Sequence, residues 1–429
     1  MKISRRELLQ SGVTAAAAPI LLPGISHISL PRRSAAETVN IAIMGVNGRG
    51  SDLAKEFVKQ KNVEVTVLCE VDDKVVSKGL AAVATRQSRV PKVEKDIRKV
   101  LEMKDIHALV IAAPDHWHAP AAIMGLQAGK HVYSEKPACH NPHEGDLLVA
   151  AAAKYAKQTL QIGTQRRSLP TNKEAIARLH SGVIGKPLFA RGWYNNTRPN
   201  IGHASKSPVP AGLDYTLWEG PAPELGYQSN YVHYMWHWFW HWGTGELGNN
   251  GIHSLDVCRW GMQVDFPTRV TAGGGKYRYD DDQETPDSLV TTYHFGDKAI
   301  TWEGRSWSPR GFEGSTFGIA FYGEGGSLVI DGGNYFIYDM KEKLIESVKG
   351  PLHETEHLEN FLDGVRTGAK PNAPAAESVK STLLCHLGNI AYRTGRTLDC
   401  DPKTGRILHD HEASGYWKRA YRPGWEPKV

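Results

Sequence analysis

The chain has 429 residues, with 51 Lys and Arg against 46 Asp and Glu (net charge +5), 41% hydrophobic and 23% charged residues. This is ordinary globular composition, long enough for two domains, and it excludes a mostly disordered chain; no apolar run reaches the roughly eighteen residues of a bilayer-spanning helix. The charge is dilute, no basic stripe or RNA-binding aromatic motif is present, and the five scattered cysteines contain no C-x-x-C pair, so nucleic acid, a disulfide framework and structural zinc are all poor readings.

The chain opens with a twin-arginine pattern, Ser4-Arg5-Arg6-Glu7-Leu8-Leu9, followed by a short, weakly apolar stretch broken by Pro19. This predicts a Tat export signal over residues 1–36, cleaved near Ala35 and Ala36, with the Tat translocase as a transient partner and a periplasmic or otherwise exported destination. Residues 1–36 hold five basic side chains against one acidic. The net charge therefore belongs mostly to the export signal.

From residue 37 to about 165 the pattern predicts a dinucleotide-binding domain. The apolar strand Val39-Asn-Ile-Ala-Ile-Met runs into Gly45-Val46-Asn47-Gly48-Arg49-Gly50, and a helix face of Leu53, Phe57 and Val58 follows. Glycines in such a turn let backbone N–H groups approach a pyrophosphate at a helix N-terminus. Asn47 stands where the second glycine of the fingerprint is expected. The next strand, Val63-Glu-Val-Thr-Val-Leu-Cys, ends in Glu70, whose carboxylate suits ribose hydroxyls and repels a 2′-phosphate, favouring NAD over NADP. Arg49 pulls the other way, since a guanidinium near the turn can bind a phosphate. A third strand, from Ala108, runs into Pro114-Asp115-His116-Trp117-His118, and a fourth, His131-Val-Tyr-Ser, into Glu135-Lys136-Pro137. Both motifs fall at carboxyl ends of strands, where open α/β sheets bind ligands.

These motifs, with Gly163-Thr-Gln-Arg-Arg, Leu217-Trp-Glu-Gly-Pro, Gly245-Glu-Leu-Gly-Asn-Asn-Gly-Ile-His253 and Ala391-Tyr-Arg-Thr-Gly-Arg396, resemble the Gfo/Idh/MocA oxidoreductases. The resemblance implies an α/β protein: a Rossmann domain, then a substrate-binding and oligomerisation domain over 166–429 built on a large, mostly antiparallel open sheet, with a homodimer or homotetramer expected. Strands read at Leu188, Arg269, Ser288, Ile300, Gly318 and Ser327, and helical patterns around 356–365 and 377–392, support that second domain independently.

The resemblance also implies site roles. Gly45, Asn47, Gly48, Arg49, Gly50, Glu70, Pro114, His116, His118, Glu135, Lys136 and Gln165 are expected around the dinucleotide. Lys136 would lie beside the nicotinamide and stabilise charge on the reacting oxygen. The family's Asp and His, four residues apart on one helix face, fall on Asn249 and His253. His253 keeps the general-base role, whereas Asn249 can orient a hydroxyl but cannot take a proton. Asp256 reads as structural.

Four of the twelve tryptophans fall between Trp236 and Trp242. Trp236, His237 and Trp240, with Trp117, Arg166, Arg167 and His253, are expected to line a carbohydrate site, because an aromatic face suits the apolar face of a pyranose. His237 and His241 have metal-ligand spacing but no third ligand, so no metal is expected. The preferred expectation is an exported NAD-dependent oxidoreductase acting on a sugar hydroxyl with a tightly bound cofactor. Redox-neutral glycoside cleavage by oxidation, elimination, hydration and reduction stands as the alternative, and a catalytically silent ligand-binding protein as a third.

Overall fold

The structure, a computed structural model, describes residues 38–429; the expected export signal lies outside the described residues. Two sheets organise the chain. The first has six strands, β1 (Val39–Met44), β2 (Val63–Cys69), β3 (Lys92–Glu94), β4 (Ala108–Ile111), β5 (His131–Ser134) and β6 (Leu160–Ile162), in the order β3-β2-β1-β4-β5-β6. All its ladders are parallel. A parallel sheet is covered on both faces, which is why β2 and β4 read as nearly continuous buried runs rather than alternating ones. The order reverses between β1 and β4, so the crevice at the carboxyl ends of these two strands is the topological switch point.

The second sheet has ten strands: β7 (Pro187–Asn195), β8 (Arg269–Gly275), β9 (Ser288–Phe295), β10 (Lys298–Arg305), β11 (Phe317–Gly323), β12 (Gly326–Asp331), β13 (Asn334–Asp339), β14 (Leu344–Val348), β15 (Leu398–Cys400) and β16 (Ile407–Leu408). Their order is β14-β13-β12-β11-β7-β10-β9-β8-β15-β16, antiparallel except for β7 against β10. One face is covered by the helices Ile252–Met262 and Ala375–Thr394, which bury Leu255, Cys258, Leu384 and Leu387 against Ile300, Trp302, Ile319 and Phe321. The opposite face carries Phe189, Arg191 and Tyr322, with Tyr322 exposed.

Two devices join the sheets. Asp256, fully inside the protein, accepts both guanidinium bonds of Arg167 (2.8 and 2.9 Å) and the Ser381 hydroxyl (2.6 Å). It thereby ties the segment after β6 to both helices of the second sheet. The helix Ala375–Thr394 also packs along the helix Pro142–Lys154, with Gly145 set against Val379. All five cysteines are buried and unpaired, spread over β2, the segment after β5, both covering helices and β15. No described helix is long and apolar enough to cross a membrane.

Candidate active site

A cavity of about 420 Å³ opens at the carboxyl ends of β1, β2, β4 and β5. Its floor is the turn between β1 and the helix Arg49–Phe57. Gly45 takes φ +80°, and a side chain there would meet the Ala112 carbonyl at 2.9 Å; a Cβ on Gly50 would lie 1.7 Å from the Gly45 carbonyl oxygen, whereas the space beside Gly48 is open. The turn thus demands glycine at two positions by close packing and offers bare backbone at a third. This is a cradle that an extended dinucleotide phosphate fits. Asn47 takes no positive φ, and its side-chain oxygen accepts from Lys78 at 2.6 Å.

Glu70 lines the cavity at the end of β2, but its carboxylate is more committed than expected. Oε2 accepts the Val46 N–H (2.8 Å) and Oε1 those of Val71 and Asp72 (2.9 and 3.0 Å). With about four lone-pair positions on a carboxylate, this leaves room for one ribose hydroxyl, not two. Arg49 is also committed: Nε donates to Glu135 at 2.7 Å, and its two Nη atoms grip the Glu354 carboxylate. A guanidinium holding two carboxylates is not free to recruit a 2′-phosphate. Burial alone would raise the Glu135 carboxyl, yet Arg49 and then Lys136 outweigh it and hold it below the ordinary range.

At the other end of the cavity the chemistry-bearing residues converge. Lys136 Nζ donates to the Asn249 backbone oxygen (2.7 Å) and its side-chain oxygen (3.1 Å). Burial lowers the Lys136 pKa, with Glu135 and Asp115 opposing. Asn249 sits in one wide turn of π-helix, Leu247–Gly251, and His253 in the first turn of the α-helix Ile252–Met262, so the two do not share the single α-helical face that their spacing suggests, although both line the cavity. Burial, reinforced by Lys136 and Arg166, pushes the His253 imidazole well below its usual range, and its buried Nδ1 has no partner. His237 is likewise neutral, pushed down to about 3 by burial. Its Nδ1 donates to the Tyr234 carbonyl at 2.5 Å, so the lone pair is on Nε2; the ring stacks on Trp236 at 3.6 Å between centroids.

Of the residues expected at the site, Gly45, Asn47, Gly48, Arg49, Glu70, Pro114, Trp117, His118, Glu135, Lys136, Gln165, Trp236, His237, Asn249 and His253 line this cavity. Five do not. Gly50 lies beneath the turn. His116 is wholly buried, with Nε2 3.0 Å from the Trp218 carbonyl. Arg167 is consumed by Asp256. Trp240 faces a different cleft, beside Arg393. Arg166 lines an adjoining cavity that shares Arg49, Gln165 and His253, where its guanidinium lies 3.9 Å over the Phe317 ring. Trp117 is a wall rather than a platform, since it is 3% exposed and its indole N–H donates to the Trp218 carbonyl. His237 and His241 diverge, the latter bonding the Pro223 carbonyl.

The cavity adds residues that the motifs did not single out. Asp115 is buried there, with the Thr244 hydroxyl donating to it at 2.6 Å, and burial raises its pKa. Lys95, paired with Asp73 at 2.8 Å, lines the Glu70 end, and His233 and Tyr234 line the cavity too. Asp115 stands inside a quoted motif at the start of a helix, so its position was the available signal.

Two family models cover the chain. Residues 39–164 match the NAD-binding Rossmann fold of the Gfo/Idh/MocA oxidoreductase family, and residues 181–427 match its C-terminal alpha/beta domain. The chain belongs to this family. Among curated relatives, a glycosyl hydrolase family 109 protein of Saccharopolyspora erythraea is 30% identical over 37% of this chain and 35% of its own length. An inositol 2-dehydrogenase of Salmonella typhimurium is 28% identical over 54% of this chain and 56% of its own. The chain thus spans about a third to just over half of the length of the curated relatives it matches. A levoglucosan dehydrogenase solved with NADH and levoglucosan superposes with a TM-score of 0.65 at 16% identity, over 84% of this chain and 99% of that one, a likeness of fold.

Proposed function

We propose that this family member is an exported, NAD-dependent oxidoreductase that acts on a hydroxyl of a sugar or sugar derivative. The observation that carries the reading is the meeting of Lys136, Asn249 and His253 at one end of a cavity whose other end is a glycine cradle closed by Glu70. The cradle backbone, Glu70 and Gln165 would hold the dinucleotide, and Glu70 together with the committed Arg49 favours NAD. When bound, the nicotinamide supplies a hydride acceptor. Neutral His253 takes the hydroxyl proton. The Lys136 ammonium, fixed by both Asn249 oxygens, donates to the substrate oxygen as negative charge develops there. Asn249 orients Lys136 without neutralising it. Trp236, stacked with His237, offers an apolar flank to a pyranose.

The twin-arginine segment supports export in the folded state, after cofactor loading. Outside the cytoplasm no free NAD pool exists, so the cofactor must stay bound and be restored by a second substrate. Acid-denatured, purified protein should release NAD, and a panel of sugars should bleach or build its bound NADH absorbance. Protein that neither releases nor binds NAD would overturn the reading. A homo-oligomer built on the open sheet completes the proposal and is read by sedimentation.

One observation favours a second reading, redox-neutral glycoside cleavage. Elimination needs a base for a carbon-bound proton besides the base for the hydroxyl, and the cavity holds two neutral imidazoles, His253 and His237. The family 109 relatives lend it further support. Nitrophenol release from nitrophenyl glycosides without added NAD and without net NADH would establish it in place of the dehydrogenase.

A further inference from the structure

We propose that a second cleft, distinct from the reaction cavity, is a binding site for a small carboxylate- or phosphate-bearing ligand held by Arg393 and Arg419. The cleft has a volume of about 650 Å³ and lies where the end of the helix Ala375–Thr394 meets the C-terminal segment. The Arg393 guanidinium lies over two rings, 4.8 Å from the Trp240 centroid and 4.2 Å from that of Tyr416. Such cation–π contacts hold a guanidinium in place while leaving N–H donors for a ligand.

Arg419 spends two donors internally, on the Ala420 carbonyl (3.2 Å) and on His140 Nδ1 (3.1 Å). Among the described residues neither arginine forms an ion pair with a carboxylate. Desolvation lowers the pKa of both. Two guanidinium groups that share a cleft and are ion-paired to no carboxylate form a site that an anion completes through charge-assisted bidentate bonds.

The nearest acidic groups, Glu284 beside Arg393 and Glu144 beside Arg419, act on the two arginines without forming an ion pair with either. Glu284 is bound to the Trp240 backbone N–H at 2.8 Å, and Lys418 is paired with Glu426 at 2.8 Å. His140 and His241 are held neutral by burial. Glu144, behind Arg419, is pushed up to about 7. The two clefts share their walls: Lys136 faces the reaction cavity and His140 this one, Trp236 and His237 face the former and Trp240 and His241 the latter. His140 donates from Nε2 to the Trp240 carbonyl at 3.1 Å, locking the two segments together.

Isothermal titration at fixed ionic strength with inorganic phosphate, and separately with D-glucuronate, tests the site on the full-length protein. One or both probes should bind saturably at one site, and Arg393→Gln and Arg419→Gln should each weaken binding by about tenfold or more. Arg393 is exposed, so its variant carries the test even if Arg419→Gln unfolds. Phosphate binding alone marks a phosphorylated ligand and glucuronate binding alone a uronate; either supports the site. Lys136→Ala should leave the isotherm unchanged. Binding by neither probe, or binding lost in Lys136→Ala and kept in Arg393→Gln, overturns the proposal, the latter by placing the anion in the dinucleotide cradle.

Discussion

At the residue scale the site turns on an amide where a carboxylate is expected. Asn249 gives Lys136 two oxygens but no charge, so burial prevails and the amine holds its proton less tightly than an ordinary lysine. Lys136→Ala should reduce turnover by about 10²–10³-fold while NAD affinity, measured by titration, stays close to wild type; equal loss of both would make the lysine structural. Asn249→Asp adds an anion beside the ammonium and favours its charged form. The alkaline limb of kcat/KM, where rate falls as Lys136 deprotonates, should then move upward by about one pH unit or more; a limb that stays put would place the titration elsewhere. Glu70→Ala should weaken NAD by about tenfold and relax discrimination against NADP, read as the ratio of the two Kd values. The motif positions were legible because strand ends converge on one crevice. Side-chain direction was not: Gln165, Arg166 and Arg167 form a single 3₁₀ turn, where successive residues point about 120° apart. One accordingly faces the cavity, one the adjoining cavity and one Asp256.

At the scale of elements, the long strands and helices were readable and the short ones were not. The helices expected around 356–365 and 377–392 are Thr355–Thr367 and Ala375–Thr394, the latter ended by Gly395 at φ +63°. β3 has three residues, none of them buried, and β14 to β16 are short strands at the two ends of the second sheet with few buried positions; β13, between β12 and β14, was missed although its residues alternate inward. Missing β3 hid Lys95, which follows it. The helix Pro142–Lys154 carries a buried acid, Glu144, that accepts from His140 N–H and the Tyr421 hydroxyl and so fixes the C-terminal segment. Burial raises this carboxyl from 4.5 to about 7. The folded state therefore binds the proton more tightly than the unfolded one: the associated stability is full below about pH 4.5 and is lost as pH rises through about 7. Denaturant unfolding should show a loss of about 2–3 kcal/mol between about pH 5 and 8.5, and Glu144→Gln should flatten that slope. An unchanged slope would mean that Glu144 ionises as freely folded as unfolded.

For the whole molecule, the two-layer plan was foreseeable from the switch between parallel-type buried runs and strand patterns after residue 187, but the ties between the sheets were not. Arg167 and Asp256 are 89 positions apart, and nothing local in either segment marks the other as its partner. The same distance-blindness hid the Arg393 and Arg419 cleft, whose walls come from six separate stretches of chain. The buried thiols have a use of their own. Burial pushes all five well up, Cys400 to about 12, so almost no thiolate exists at neutral pH and an alkylating reagent must wait for the fold to open. Intact-mass spectra of iodoacetamide-treated protein should show unmodified chains giving way directly to chains with five adducts if both sheets open as one unit. A population with Cys69 modified and Cys400 intact would instead time the first sheet's opening ahead of the second's, making the cysteines a residue-resolved clock for unfolding.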